Sequence, residues 1–211
     1  MLMYSKVKKG GSINLLLVIE GPDKAGKSTQ AMMLKDTLTR MGYRCAMMSF
    51  PDYSTPIGKE IEAFLRGKRE YPLQVKHMLL SANRWEKKDE VERLIASNDV
   101  VILNRYYQSN IVYGIANGLD MQWLEMLDRC LPKEDLVIVL HVTAEVALER
   151  ARLNAMHRDM FESVELLKRV SLLYLELAGR YGWVVVDGGR GVEEVHRDVL
   201  SIALKHIQDK A

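Results

Sequence analysis

The feature that most constrains the fold is a glycine-rich segment, GPDKAGKS, at residues 21–28. It fits the pattern G-x-x-x-x-G-K-[ST] and lies between an apolar run and a segment with helical apolar spacing, the context that supports a phosphate-binding loop. Glycines let the backbone wrap closely around phosphates, whose charge is met by backbone N–H groups and a helix N-terminus. In such a loop Lys27 would bridge the β- and γ-phosphates of ATP, and the Ser28 hydroxyl would bind Mg²⁺.

Short, nearly continuous apolar runs recur at residues 15–19, 45–50, 100–103, 136–142 and 183–186. Runs of this kind are typical of parallel strands that helices cover on both faces. Segments with apolar residues at helical spacing lie between them. The alternation predicts an α/β protein with the three-layer P-loop NTPase fold, a five-stranded parallel sheet flanked by helices. Ligands bind such sheets at the carboxyl ends of the strands.

Composition excludes several classes of protein. The 30 Lys and Arg residues nearly balance 28 Asp and Glu residues, and this net charge of +2 argues against nucleic-acid and membrane-surface binding. The length fits one domain, and no apolar run approaches the roughly 20 residues of a membrane span. Residues 1–12 lack a signal-peptide cleavage site and are expected to be a flexible tail. Cys45 and Cys130 have no metal-ligand spacing, so we expect free thiols in the cytoplasm.

Two charged residues stand inside the loop, where small residues are common. Asp23 is a candidate acceptor for a sugar hydroxyl, and Lys24 would add positive charge beside the transferred phosphate. The alternative is a solvated charge pair with no ligand. On the first interpretation the loop contacts a second substrate as well as its nucleotide.

Three further residues have both a functional and an ordinary interpretation. Arg105 directly follows the third apolar run, and its planar guanidinium suits bidentate phosphate binding, although it could instead form a structural ion pair. Arg84 is either a ligand contact or a surface cation that covers an apolar stem. Tyr113 is either a substrate contact or an ordinary core aromatic.

Basic residues beyond the fourth apolar run predict a short lid over about residues 150–162. Its arginines, Arg150, Arg152 and Arg158, could neutralise charge on the transferred phosphoryl group, and Arg158 is our candidate catalytic residue there. A closed lid would also exclude water, which competes as the acceptor. The alternative is a solvated helix face.

Later segments of the chain form a recognisable series with the loop. It comprises EGPDKAGKSTQ at residues 20–30, Phe50-Pro51 with Ile57-Gly58, SANRWE at 81–86, Asn104-Arg105-Tyr106 with Ser109 and Tyr113, and Leu131-Pro132-Lys133. With these motifs the chain resembles the thymidylate kinases, a family of P-loop nucleoside monophosphate kinases, from about residue 13 to its end. The resemblance makes residues 13–211 a single P-loop kinase domain with its lid built in.

The resemblance implies that ATP donates its γ-phosphate to thymidine monophosphate (dTMP), with Mg²⁺, and that the chain forms a homodimer. It makes Lys27, Arg105, Lys24 and Arg158 the catalytic candidates. It places ATP on Gly21, Pro22, Asp23, Lys24, Ala25, Gly26, Lys27, Ser28, Thr29 and Arg150. It places the monophosphate on Asp23, Phe50, Leu80, Arg84, Arg105, Ser109 and Tyr113, with Asp23 on the sugar, Arg84 on the base carbonyl, Arg105 on the phosphate and Tyr113 under the sugar.

The chain departs from the family at three positions that bear on catalysis or selectivity. Asn104 replaces an Asp that helps to hold Mg²⁺ through water. Ser28 would then bind the metal directly, with Asn104 or Glu20 assisting through water, and we expect reduced activity. Leu80 replaces a Phe that stacks on the thymine, and losing this stack would weaken binding of the base by about 1 kcal/mol. Tyr53 replaces an Arg near the phosphate.

These departures leave two rival functions open. Leu80 favours a kinase for another deoxynucleoside monophosphate, such as dUMP. Asn104 and Tyr53 favour a nucleotide-binding regulatory protein with little transfer activity. The dimer contact is also open, because the apolar stripe within residues 75–95, which includes Met78, Trp85, Leu94 and Ile95, suits either a dimer interface or the core.

Overall fold

A computed structural model describes residues 13–153 and 164–210 of the chain. The strands in these ranges are β1 (Leu15–Glu20), β2 (Cys45–Ser49), β3 (Val100–Asn104), β4 (Leu136–His141) and β5 (Val184–Asp187). The helices are α1 (Lys27–Arg40), α2 (Pro56–Leu65), α3 (Leu73–Trp85), α4 (Lys88–Ser97), α5 (Tyr107–Ala116), α6 (Met121–Leu127), α7 (Ala144–Leu153), α8 (Val164–Tyr181) and α9 (Val192–Lys210). The five apolar runs predicted as strands are all strands in the structure.

The strands form one parallel sheet in the order β2-β3-β1-β4-β5. The central strand β1 is buried on both faces because its side chains alternate between two cores. Leu15, Leu17 and Ile19 belong to the core beneath α1 and α9, whereas Leu16 and Val18 belong to the core beneath α4, α5 and α8. This arrangement confirms the predicted three-layer α/β fold, a five-stranded parallel sheet flanked by helices.

The edge strands differ from the central ones. Residues of β2 and β5 are mostly half-buried or exposed, because each edge strand has a single neighbour and incomplete helical cover. The expectation that every strand is buried on both faces is therefore wrong for these two. Within the described residues, no helix combines the length and the apolar character needed to cross a membrane.

The parallel topology brings the predicted site residues to one edge of the sheet. Gly21 follows β1, Phe50 follows β2 and Arg105 follows β3, and these three strands are neighbours in the sheet. Arg105 N donates to the carbonyl oxygen of Ile19 at 3.0 Å, which joins the ends of β1 and β3 directly. The carboxyl edge of the sheet is therefore where a ligand would meet the loop and Arg105 together.

Helix α3 buries its polar side rather than its apolar stripe. His77, Ser81, Asn83 and Arg84 are buried, whereas Met78 and Trp85 are 46% and 39% exposed. The polar side can be buried because partners on other elements bind several of its polar groups, as described below for Arg84, whereas His77 Nε2 has no hydrogen-bond partner among the described residues. Leu94 and Ile95 of α4 pack against the core. The stripe within residues 75–95 therefore divides between the core and the surface.

Candidate active site

The segment at residues 21–28 forms a tight loop between β1 and α1. Gly26 precedes α1 with a φ of +93°, a left-handed conformation that favours glycine. Gly21 has a φ of +140°, and a Cβ there would lie 2.3 Å from the carbonyl oxygen of Leu140. The buried Lys27 Nζ donates to the carbonyl oxygens of Gly21 (3.0 Å) and Pro22 (2.7 Å). The lysine amino group therefore lies inside the loop, where a phosphate would replace these carbonyls.

A cavity of about 710 Å³ opens above the loop. It is lined by the predicted ATP-binding residues Asp23, Lys24, Ala25, Gly26, Lys27, Ser28, Thr29 and Arg150. Arg150 donates to the carbonyl oxygens of Lys24 (3.3 Å) and Gly188 (2.9 Å), so it joins the loop to the segment after β5. Lys24 has a φ of +62°, uncommon for a residue with a side chain. We call this space the loop cavity.

Asn104 lies beside the predicted Mg²⁺ ligand at the end of β3. Its Nδ2 donates to Ser28 Oγ (3.1 Å) and to Ser49 Oγ (3.3 Å). Its Oδ1 is buried and has no hydrogen-bond partner among the described residues. A hydroxyl next to an unsatisfied amide oxygen is a donor set that suits Mg²⁺ and its water shell. These residues therefore fit the predicted metal.

Glu20 is enclosed by protein. It is fully buried, and it accepts hydrogen bonds from Tyr106 N (2.8 Å), Ser109 N (3.1 Å), Ser109 Oγ (2.7 Å) and the Tyr174 hydroxyl (2.9 Å). This arrangement gives no support to the prediction that Glu20 assists Mg²⁺ through water. The carboxylate instead fixes the start of α5, whose Ser109 Oγ accepts from Arg105 Nη1 at 2.8 Å.

Arg105 forms an ion pair with Asp23 of the loop. Its guanidinium also lies over the ring of Tyr113, with Cζ 5.7 Å from the ring centroid. Burial opposes the charge of Arg105, but Tyr113, Tyr174 and Glu20 raise its pKa overall, so the guanidinium stays positive. Its φ of +67° is a strained conformation for an arginine. Strain of this kind, held by surrounding contacts, is a feature of functional sites.

A second cavity, of about 140 Å³, adjoins the first. Its walls include the predicted monophosphate-binding residues Asp23, Phe50, Leu80, Arg84, Arg105, Ser109 and Tyr113. We call it the acceptor cavity. Both cavities are lined by Asp23, Phe50, Pro51, Tyr53 and Arg105. The Asp23–Arg105 pair therefore lies at the junction of the two cavities.

One wall of the junction is the segment between β2 and α2. Its Phe50–Pro51 peptide bond is cis. Asp52 N donates to Asn83 Oδ1 of α3 at 2.7 Å. A Cβ at Gly58 would lie 1.8 Å from the Asp52 carbonyl oxygen, so this close packing requires glycine. The contacts explain why the Phe50-Pro51 and Ile57-Gly58 motifs occur together.

Arg84 is buried against an acid rather than exposed on a surface. Its Nε donates to Asp128 Oδ1 (3.1 Å) and its Nη2 donates to Asp128 Oδ2 (2.6 Å). Both side chains are at most 5% exposed, and Ser81 Oγ also donates to Asp128 Oδ1 (2.8 Å). Asp128 therefore fixes the guanidinium by two of its nitrogens, while Arg84 also lines the acceptor cavity.

Several lining residues were not predicted from the sequence. His77, Asn110, Leu65 and Tyr106 line the acceptor cavity, and Arg190 lines the loop cavity. Arg190 follows β5 within a glycine-rich segment, a signal that could have identified it. His77 and Asn110 carry no such signal, because they lie 33 residues apart on different helices.

Some predicted residues cannot be placed. The tail at residues 1–12 and positions 154–162 of the lid, with the catalytic candidate Arg158, lie outside the described residues, as does the side chain of Arg152. Their proposed roles remain predictions. Glu20 is enclosed by protein, and Gly21 and Pro22 line neither cavity. The other predicted contacts line the loop cavity or the acceptor cavity.

Comparison with known proteins agrees with the geometry. The family model described as thymidylate kinase matches residues 19–199. Thymidylate kinase of Schizosaccharomyces pombe is 34% identical over 89% of this chain and 90% of its own length, and the human enzyme is 31% identical over 87% of each. A thymidylate kinase structure from Candida albicans, described as having broad substrate specificity, superposes with a TM-score of 0.79 at 30% identity, covering 92% of this chain and 93% of that one. The chain therefore belongs to the thymidylate kinase family.

Proposed function

We propose that this chain transfers the γ-phosphate of ATP to dTMP, giving dTDP and ADP. The observation that carries the proposal is the junction of two cavities, one lined by the glycine-rich loop and one by the side chains predicted to bind the acceptor. Asp23 and Arg105 line both, so a donor and an acceptor bound there would meet beside them. Phosphoryl transfer depends mainly on such positioning and on neutralising charge.

On the donor side, the triphosphate of ATP would take the place of the loop carbonyls that Lys27 now contacts. Lys24 and Arg150 would add positive charge around it, and Arg158 would join them from the lid. Ser28 and Asn104 would hold Mg²⁺, which when bound neutralises part of the negative charge on the phosphates.

On the acceptor side, the phosphate of the monophosphate would replace the Asp23 carboxylate on Arg105. Asp23 would then be free to accept a hydrogen bond from the sugar. Ser109 keeps the Arg105 guanidinium in place during this exchange. Tyr113 lies beneath that guanidinium, in a position to contact the sugar and to disfavour a 2′-hydroxyl.

The base would occupy the apolar part of the acceptor cavity, between Phe50 and Leu80, with Arg84 donating to a base carbonyl. Leu80 leaves the base without a stacked aromatic from α3. This observation favours a second candidate function, a kinase that accepts other deoxynucleoside monophosphates such as dUMP. The broad specificity ascribed to the Candida albicans relative is consistent with it.

A coupled assay of ADP release across dTMP, dUMP, dCMP, dGMP and dAMP tests these functions. The highest kcat/KM with dTMP supports the proposal, and a higher value with another monophosphate supports the second candidate. Tight binding without turnover would instead support a regulatory nucleotide-binding protein, the hypothesis that Asn104 and Tyr53 favour. Binding is measured by calorimetry with the same set of nucleotides.

We also infer that two copies of the chain associate through α3. Met78 and Trp85 present an exposed apolar surface on this helix, beside the acceptor cavity that its other side lines. Free Cys45 and Cys130 are consistent with a reducing compartment, and we place the enzyme in the cytoplasm as part of the same proposal.

A further inference from the structure

The acceptor cavity contains a polar atom that the described protein leaves without a partner. His77, on α3, is 1% exposed and is one of the residues that line this cavity. Its Nε2 is buried and makes no hydrogen bond to any part of the chain that the structure describes. Buried polar atoms are nearly always satisfied, so one that remains unsatisfied at a ligand cavity requires an explanation.

The protonation of the ring follows from its neighbour Asn110. Asn110 Nδ2 donates to the His77 backbone carbonyl oxygen at 3.3 Å, which leaves Asn110 Oδ1 facing the ring. That oxygen lies 2.7 Å from His77 Nδ1. An amide oxygen accepts and cannot donate, so Nδ1 must carry the hydrogen of this bond.

The imidazole is also neutral. Burial lowers the pKa of His77 to about 4, and the hydrogen bond to Asn110 offsets this only in part. A neutral ring with its hydrogen on Nδ1 has a bare lone pair on Nε2. Nε2 is therefore a hydrogen-bond acceptor and cannot donate at neutral pH.

On the wall that α3 forms, the other polar group is Arg84, which can only donate. Asp128 accepts from its Nε and Nη2, so the two N–H groups of Nη1 and the second N–H of Nη2 are left for a ligand. The wall therefore offers one acceptor, from His77, and one donor group, the guanidinium of Arg84. Such a pair selects a ligand that presents a donor next to an acceptor.

We infer that His77 is a specificity-determining residue whose Nε2 accepts a hydrogen bond from the ring N–H of a 2,4-dioxopyrimidine base. Arg84 then donates to the adjacent carbonyl of the same base. Cytosine presents a bare ring nitrogen and an amino group at these positions, so both contacts are lost. The inference rests on the proposed function only for the identity of the acceptor nucleotide.

The sharpest probe is 5-methyl-dCMP, which keeps the methyl group of dTMP and changes only the base edge that this wall would read. We expect the native protein to prefer dTMP over 5-methyl-dCMP in both Kd and kcat/KM. His77→Leu removes the acceptor, so this preference should fall about tenfold, while part of it persists through Arg84. An unchanged preference in a folded His77→Leu variant would overturn the inference.

The matched control is His196→Leu on α9. His196 is a second buried histidine, with one side-chain hydrogen bond, to Thr37, and it does not line the acceptor cavity. This variant should keep the native preference even if it unfolds more readily. A loss of preference equal to that of His77→Leu would mean that destabilisation, not base recognition, explains the effect, and the inference would fail.

A measurement on the native chain covers the case in which His77→Leu does not fold. In protein labelled with ¹⁵N-histidine, the ring of His77 should show hydrogen on Nδ1, and its Nε2 resonance should shift when dTMP is added. Deoxyribose 5-phosphate, which lacks the base, should not shift it. Hydrogen on Nε2, or no response to dTMP, would overturn the inference. These binding readouts do not require turnover, so failure of the proposed reaction is recorded separately.

Discussion

Asp23 and Arg105 form an ion pair across the junction of the loop cavity and the acceptor cavity. Lys27 Nζ lies 3.7 Å from the same Asp23 carboxylate. One carboxylate thus neutralises the two cations that would hold the donor and the acceptor phosphates. On the proposed function, the acceptor phosphate would replace this carboxylate on Arg105.

Replacing Asp23 by Asn should therefore have opposite effects on two ligands. Inorganic phosphate, which has no sugar hydroxyl, should bind more tightly, because no carboxylate competes for Arg105. The kcat/KM for dTMP should fall about ten- to a hundredfold, because a charged hydrogen-bond acceptor for the sugar is lost. Calorimetry and steady-state kinetics measure the two effects. Asp36→Asn, on α1, is the control and should leave both unchanged.

Restoring a carboxylate at the end of β3 should strengthen metal binding. In Asn104→Asp the new charge lies next to Ser28, so the Mg²⁺ concentration for half-maximal turnover should fall about tenfold. Binding of Mn²⁺ to the ATP complex, followed by electron paramagnetic resonance, gives a readout that is independent of turnover. If Asn104→Asp and the native chain have the same metal affinity and turnover, the amide of Asn104 does not weaken metal binding or catalysis.

Breaking the buried Arg84–Asp128 pair should destabilise the fold. Asp128→Asn leaves a buried guanidinium without its charge partner, and the free energy of unfolding should fall by about 3–5 kcal/mol. Urea unfolding followed by circular dichroism measures this change. Glu92→Gln breaks an exposed pair with Lys88 and should have little effect. Similar losses in the two variants would contradict the role given to burial.

Acid should destabilise the chain partly through His77. Its pKa is lowered to about 4 in the folded state, against an ordinary value of 6.5, so between these values the unfolded state binds the proton and the folded state does not. His77 therefore does not lower the free energy of unfolding above pH 6.5. As the pH falls from 6.5 to 4, protonation of His77 in the unfolded state lowers that free energy by about 3 kcal/mol. Urea unfolding at several pH values gives the free energy of unfolding as a function of pH. Between pH 6.5 and 4 this free energy should fall less steeply in His77→Gln than in the native chain. Equal slopes would mean that His77 titrates normally.

If two copies associate through α3, a charge on the exposed face of this helix should dissociate the dimer. Met78→Lys should convert a dimer into a monomer, because it places a charge in an apolar contact. Sedimentation equilibrium measures the change in mass. Met32→Lys, which alters a similarly exposed methionine on α1, should remain dimeric. A native chain that sediments as a monomer would contradict the proposal directly.

Much of the fold could be predicted because its signals are local. The strands read as apolar runs, and the loop at residues 21–28 has a pattern that its flanking elements support. The parallel sheet then brings Gly21, Phe50 and Arg105 together without further information. The residues of the acceptor wall could not be predicted in the same way. The pairing of Arg84 with Asp128 joins positions 44 residues apart, and nothing in the spacing of either residue reveals the other.

Helix α3 shows why periodicity alone could not decide which face is buried. The rule that apolar residues face inward fails where buried polar side chains are satisfied by other elements, as Ser81 and Arg84 are by Asp128. Glu20 illustrates the same limit, because it was predicted to compensate for the Asp that is absent at position 104. The structure shows that backbone and hydroxyl donors from α5 and α8 occupy it instead.

The hydrogen bonds to Glu20 have a mechanical consequence for Arg105. Its carboxylate ties the hydroxyl of Tyr174, on α8, to Ser109 of α5, and Ser109 in turn holds Arg105. Helix α8 is the element that follows the predicted lid along the chain. A displacement of α8 would therefore shift the Arg105 guanidinium through these side-chain hydrogen bonds. The position of the guanidinium thus depends on where α8 lies as well as on the charge of a bound substrate.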